Sequence, residues 1–286
     1  MKGSKFKQRA SELGFGAPQT LQELLDKAAP HLWKTRNHNA ISYANIRDAI
    51  VILREPKLSD MTTAAIDEYT RVVSEDIRPS TVNRKLSSLH ILLKYAYDRE
   101  WLAKMPKFTW MKEDNERIRW LTEEEEIKLL AILPPEISAF CEILIHTGMR
   151  RDELRTMQRD QLNGDYARLW KTKNGKARSV PLSARARELM EQWVPFNLEV
   201  HTIRRAWVKA KIEMGLEHDS NFVLHTLRHT TATRMLESTG NIAVVQKMLG
   251  HSKIQTTMRY AHVSDEHLLD AVRLTTEKRQ NVPVSA

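Results

Sequence analysis

A single cysteine, Cys141, stands among 286 residues, so no disulfide can form within the chain. That scarcity fits a reducing compartment, and the apolar neighbours Ala139, Phe140, Ile143 and Leu144 suggest a buried structural thiol rather than a nucleophile. Long hydrophobic runs are missing as well. No uninterrupted apolar stretch approaches the ~20 residues of a bilayer-spanning helix, and no membrane partner is expected. The start of the chain is basic but has no apolar core behind it, so no secretory leader is expected and the cytoplasm (of a bacterial host, at its nucleoid) is the expected compartment. Metal motifs are wanting too. His225 and His229 stand at i, i+4 without a glutamate between them, and Arg228 would repel a cation, so no metal and no cofactor are implied. Acid is the charge in short supply: 36 Asp and Glu face 45 Lys and Arg, a net charge of +9.

That excess favours a polyanionic partner. Counting Lys and Arg against Asp and Glu, residues 1–110 carry about six surplus positive charges, 111–150 about four negative and 151–286 about seven positive. Two basic blocks flank an acidic junction, the distribution expected of a clamp closing on DNA from two sides. Charge alone does not establish such a clamp.

Periodicity divides the chain further. Leu21, Leu24, Leu25 and Ala28 follow helical spacing, as do Tyr43, Ile46, Ala49, Ile50 and Leu53. A third helix is expected over about 61–74, and a fourth opens at Pro79 and runs through Val82, Leu86, Leu89, Leu92, Leu93 and Ala96. Asn83, Arg84 and Lys85 mark the opposite face of that fourth helix. They are either a solvated face or DNA contacts. Residues 105–119 read as a linker, with Pro106 and a charge-dense run. Thr122 and Glu125 then form a capping box, and Glu123 to Glu126 suit the positive end of a helix dipole better than a metal site. A strand pair, Tyr166–Trp170 and Ala177–Pro181, flanks an Asn174-Gly175 turn. Beyond residue 183 helices are expected near 183–194, 199–214, 226–238, 242–249, 253–260 and 264–275. The expected plan is a basic segment at 1–18, a helical unit at 19–104, the linker, a second unit at 120–262 and a tail at 263–286.

The chemistry lies in four short motifs. Thr147-Gly148-Met149-Arg150 runs on to Glu153-Leu154, and a lysine hairpin holds Lys171, Lys173 and Lys176 with Arg178 behind them. Then come His225-Thr226-Leu227-Arg228-His229-Thr230 and Leu249-Gly250-His251, followed by Tyr260. Two guanidinium groups, an ammonium, two imidazoles and a phenol form a set able to hold, neutralise and attack a phosphodiester. Arginine is the suitable clamp for phosphate oxygens, because its planar fork donates paired hydrogen bonds and stays charged. A tyrosine nucleophile has a free pKa of about 10, so it needs cationic neighbours and a proton acceptor. Singly, each residue has an ordinary reading: Arg150 a surface helix residue, Lys173 a solvated turn, Tyr260 a core ring.

Together, in this order, they resemble the boxes of the tyrosine recombinases, the phage-integrase family. Thr147 to Leu154 is similar to the family's first arginine box, Thr172 to Leu182 to its lysine hairpin, His225 to Thr233 to its second box, and Leu249 to His262 to its third. Ser80 to Leu89 resembles part of its core-binding domain. The resemblance implies a mainly α protein: a helical, SAM-like core-binding domain joined to a mostly helical α+β catalytic domain with a small sheet. It implies that Arg150 and Arg228 grip the scissile phosphate and that His251 adds a hydrogen bond. Lys173 would protonate the 5′-hydroxyl leaving group, with Lys171 and Lys176 within reach of the same task. His225 would accept the proton of Tyr260, which becomes a 3′-phosphotyrosyl link. Glu153 would orient Arg150. Lys171, Lys176 and Arg178 would contact DNA, together with Asn83, Arg84 and Lys85.

The expected partners are double-stranded DNA bearing paired core sites, three further copies in a homotetramer, and an accessory DNA-bending or directionality factor. The apolar stripe of Leu268, Leu269, Val272 and Leu274 packs either on a neighbouring protomer or in cis. The stretch between hairpin and His225 is short and shows no additional strand, and residues 1–18 are too few for a separate arm-binding domain. A phage or mobile-element integrase is the leading expectation. A resolvase of chromosome dimers, a type IB topoisomerase using similar chemistry, and a DNA-binding regulator without catalysis are the alternatives.

Overall fold

The computed structural model describes residues 16–33, 36–113, 118–170 and 177–261. The first fifteen residues, Lys171, Lys173, Lys176 and the 263–286 tail lie outside the described residues, as does the helix expected at 264–275. Two compact units span residues 1–115 and 116–286.

The first unit is helical: α1 (Leu21–Leu32), α2 (Arg36–Ile52), α3 (Thr63–Ser74) and α4 (Pro79–Tyr97). Local chemistry starts three of them. The hydroxyls of Thr20 and Thr62 accept the Glu23 and Ala65 N–H groups at 3.1 and 3.3 Å, and Pro79 supplies a first-turn residue that needs no partner for an N–H. Leu24, Leu25, Ile46, Tyr69, Leu89 and Leu93 meet fully buried in its core. Each such side chain contributes about 1.5–3 kcal/mol of burial, offset by the entropy of ordering it.

The faces expected to touch DNA are used partly inside this unit. Asn83 exchanges two 2.9 Å hydrogen bonds with the backbone of Met111 and donates to Glu113 at 2.7 Å. That side chain holds the first half of the expected linker on the unit, where Met105, Phe108 and Met111 pack against the core. Lys85 is paired with Asp48. Arg84 is the exposed member of the three.

The second unit builds around α6 (Pro135–Thr147), which packs against α5 (Glu123–Ile132), α8 (Ala184–Trp193) and α10 (Thr226–Thr239). Both bonds of the Thr122–Glu125 capping box are present. The periodicity reading passed over α6, where Ile137, Phe140, Cys141, Leu144 and Ile145 are buried and only a narrow, partly exposed stripe of Ser138, Glu142 and His146 marks a polar face. Cys141 is fully buried, and that burial pushes its thiol pKa up to about 12, as suits a structural thiol.

The sheet is three antiparallel strands in sequence order: β1 (Leu162–Asn163), β2 (Tyr166–Leu169) and β3 (Arg178–Pro181). Ala167 pairs with Val180 and Leu169 with Arg178, and Ala167, Leu169 and Val180 are buried on one face. The expected strand pair is there. β1, only two residues long, carries too little alternation to be seen in sequence.

After α7 (Arg151–Arg155) and the sheet, the chain continues through α9 (Val200–Glu213), α11 (Ile242–Leu249) and α12 (Ile254–Met258). The architecture is mainly helical with one small sheet, as expected. Among the described residues no helix is long and apolar enough to cross a membrane.

Candidate active site

Three helix ends converge on Arg228. This residue lies in the first turn of α10 with 2% of its surface exposed. Its guanidinium donates to the carbonyls of Gly148, which caps α6, and Leu249, which ends α11, the latter at 2.7 Å. Both helices terminate in left-handed glycines, Gly148 at φ +60° and Gly250 at φ +67°. Their C-terminal carbonyls carry the negative end of the helix dipoles, so they suit a cation. The close approach depends on the first glycine. A Cβ at Gly148 would lie 2.7 Å from Leu249 Cδ2. Thr231, one turn along α10, ties the helices further by donating to Ile145 O at 2.6 Å.

Arg150 precedes α7 and folds onto Glu153. Its backbone N–H and its Nη1 both donate to that carboxylate at 2.8 Å. Arg178 reaches the same carboxylate from β3 through Nη1 at 2.9 Å and Nη2 at 2.7 Å. Its stem presses on Gly250, where a Cβ would stand 2.7 Å from Arg178 Cδ. Arg178, expected as a DNA contact, is therefore placed inside the unit, its side chain 12% exposed. Burial opposes ionisation of Glu153, but the hydrogen bonds from Arg178 and the Arg150 backbone outweigh it and hold the carboxyl at about 2. Thus Arg150 and Arg178 share one carboxylate, and Arg228 has only carbonyls.

His225 caps the start of α10, and its ring meets that of His229 edge-on, with 4.7 Å between centroids. His229 Nδ1 stands 2.8 Å from the Tyr260 hydroxyl. The residue that touches the phenol is thus His229, not His225, to which the family resemblance gave that contact. Tyr260 follows α12, 7% exposed, in a small apolar cluster with Ile118, Ala232, Val245 and Leu249. His251 Nδ1 lies 2.8 Å from Thr257 Oγ1, which leaves its Nε2 as the nitrogen for another partner.

Electrostatics join these groups into one pocket. Burial is the largest influence on each ring, and the positive charges of Arg228, Arg150 and Arg259 add to it. His225 and His251 are pushed down to about 4 and His229 to about 3, so all three are neutral at pH 7. Burial, then Arg150 and Arg178, depress Arg228 itself to about 10, still protonated. Burial raises the phenol of Tyr260, while Arg228 and Arg259 oppose the rise. A pocket with this much uncompensated positive charge is suited to an anion. Lys173, the remaining member of the expected set, lies outside the described residues.

Sequence reasoning set His229 aside because only His225 keeps the three-residue spacing to Arg228. The i, i+4 spacing from His225 was the available signal, since it puts both rings on one face of α10. Nothing in the sequence distinguished the inward Arg178 from the lysines of its hairpin.

Comparison with known proteins agrees with the geometry. Residues 119–267 match the phage integrase family. The integrase of Escherichia phage P2 is 28% identical over 251 residues, covering 84% of this chain and 73% of its own. Tyrosine recombinase XerC of Erythrobacter litoralis is 30% identical over 260 residues, covering 81% and 83%. The fold is shared with the Tn1549 transposon integrase, solved in complex with a circular intermediate DNA, at a TM-score of 0.72 and 16% identity over 89% of this chain and 99% of that one. With the family match covering more than half the chain and the fold agreeing along nearly all of it, this chain belongs to the phage integrase family and is a tyrosine recombinase.

Proposed function

We propose that this recombinase integrates and excises a phage or other mobile element, cutting and rejoining DNA at paired core sites. The observation that carries the phosphate-binding reading is the charge of the pocket: among the described residues buried Arg228 is hydrogen-bonded to carbonyls only, and the Glu153 carboxylate is taken by Arg150 and Arg178. A phosphodiester would relieve that imbalance, accepting hydrogen bonds from Arg150, Arg228 and His251 Nε2.

In this reading the Tyr260 oxygen bonds to phosphorus as the bond to the 5′-oxygen breaks. The phenolic proton passes to a histidine of the His225–His229 pair, and Lys173 protonates the departing 5′-oxygen. One phosphoester replaces another, so a 5′-hydroxyl from a second strand reverses the step without ATP. Exchange between two duplexes calls for four copies of the chain, with the 263–286 tail docking on a neighbouring copy and an accessory protein setting direction. Arg84 and the lysines of the hairpin would contact the DNA backbone.

The XerC relative, similar over most of both chains, favours a second reading as a resolvase of chromosome dimers. One experiment separates these. The protein and its Tyr260→Phe variant are incubated with fragmented host and element DNA, denatured, and the covalently trapped fragments sequenced. Adducts from the unaltered chain alone, concentrated at an element junction, are expected. Adducts at one chromosomal site without an element would favour the resolvase, and tight binding without adducts would leave a DNA-binding module.

A further inference from the structure

Resting on the recombinase reading above, we propose that His229, rather than His225, is the catalytic residue that takes the proton from Tyr260. The two histidines are not equivalent in place. His229 Nδ1 is 2.8 Å from the phenolic oxygen, and among the described residues no other group is hydrogen-bonded to that hydroxyl. The two rings are tilted at 53° with centroids 5.7 Å apart, so the contact is made by the hydroxyl and not by stacked faces. His225 meets His229 edge-on, 4.7 Å between centroids, and among the described residues it makes no hydrogen bond to the phenol. The strongest charges on His225 are Arg228 and then Arg150, the phosphate clamps, whereas His229 feels His225 first and then Arg259, the neighbour of Tyr260. His229 is thus the histidine in direct contact with the nucleophile.

The step balances without a further reagent. The Tyr260 O–H proton moves to the lone pair of His229 Nδ1, the phenolic oxygen bonds to phosphorus, and the P–O5′ bond breaks. The leaving oxygen takes a proton from Lys173. The reverse reaction returns the first proton from His229 to the phenol. His229 is a neutral acceptor in the empty pocket, held so by burial and by its cationic neighbours. A bound phosphate offsets those cations, so the anion that is to be attacked also strengthens the base. Proton acceptance is thereby linked to the presence of substrate.

The test uses the full chain and the site recovered by the trapping experiment. His229→Asn keeps a hydrogen-bonding atom near the place of Nδ1 but cannot take up a proton, so DNA affinity should hold while adduct formation slows on the order of 10²-fold. Replacing Tyr260 with 3,5-difluorotyrosine, whose phenol ionises far more readily, should restore most of that loss. The same replacement should leave the defect of His225→Asn unrelieved. A merely structural role for His229 would not respond to the acidity of the phenol. The assignment is overturned if His229→Asn cleaves at the normal rate, if difluorotyrosine fails to relieve it, or if difluorotyrosine relieves His225→Asn instead. Should His229→Asn lose DNA binding, His229→Gln is carried through the same comparison. Absence of adduct from the unaltered chain at that site would overturn the recombinase reading itself, and this assignment with it.

Discussion

At the scale of single residues, Arg228 shows how a buried cation can be expensive to house. A guanidinium 2% exposed, with no carboxylate partner among the described residues, is tolerated because two helix termini turn carbonyls toward it. Lysine cannot reproduce that fork. Arg228→Lys is expected to lower the rate of adduct formation by about 10²-fold or more, with DNA affinity changed only a few-fold, in single-turnover cleavage and binding assays. An unchanged rate would mean that the fork does not face the phosphate. Gly148 is the complementary case. Its φ of +60° and the 2.7 Å approach to Leu249 leave no room for a methyl group. Gly148→Ala should destabilise the chain by about 1–3 kcal/mol in urea titration. Equal stability would show that α6 and α11 can part without penalty.

Between elements, the coupling of interest runs from β3 to α7. Arg178 leaves the sheet, straddles Glu153 and thereby fixes the carboxylate on which Arg150 rests. Its bidentate contact should make it a positioning residue. Arg178→Lys is then expected to slow cleavage about 10-fold while DNA affinity and its salt dependence stay near their original values. A backbone contact behaves otherwise: losing it weakens binding across sequences and lowers the salt slope by about one. The elements themselves were unevenly legible. Thr122 and Glu125 announced α5, and Asn174-Gly175 announced β2 and β3, because caps and tight turns are local chemistry. The helix α6 gave only a weak period, since its polar stripe is narrow and most of its surface is buried, and β1 was too short to alternate.

For the whole molecule, the crowded cations make stability depend on pH. Burial first, and after it neighbouring arginines for His225 and His251 and His225 with Arg259 for His229, hold His225 and His251 at about 4 and His229 at about 3, against an ordinary 6.5. The unfolded chain takes up these protons near pH 6.5, whereas the folded pocket refuses them until far lower. The contribution of neutral histidines is therefore complete above pH 6.5 and is lost as the pH falls toward 4 and then 3. Glu153, held at about 2 against an ordinary 4.5, adds a second decline between those values. Melting temperature should fall from pH 6.5 to about 4 and less steeply below that, where only His229 and Glu153 still contribute, and bound DNA should flatten the first part by offsetting the arginines. A melting temperature constant from pH 7 to 5 would contradict the described pocket.

The four motifs around Arg150, Lys173, Arg228 and Tyr260 carried the resemblance to the family, because short boxes of residues in a fixed order are legible without a structure. Periodicity and caps gave most helices and the hairpin, since both depend on neighbours within a turn or two. The partner of Tyr260, the inward course of Arg178 and the burial of Arg228 were settled only in three dimensions. Each depends on contacts across wide sequence separations: Tyr260 with His229, Arg178 with Glu153 and Gly250, Arg228 with Gly148 and Leu249. Local sequence selects which residues can donate, accept or attack. Packing of α6, α10 and α11 around two left-handed glycines decides which of them meet.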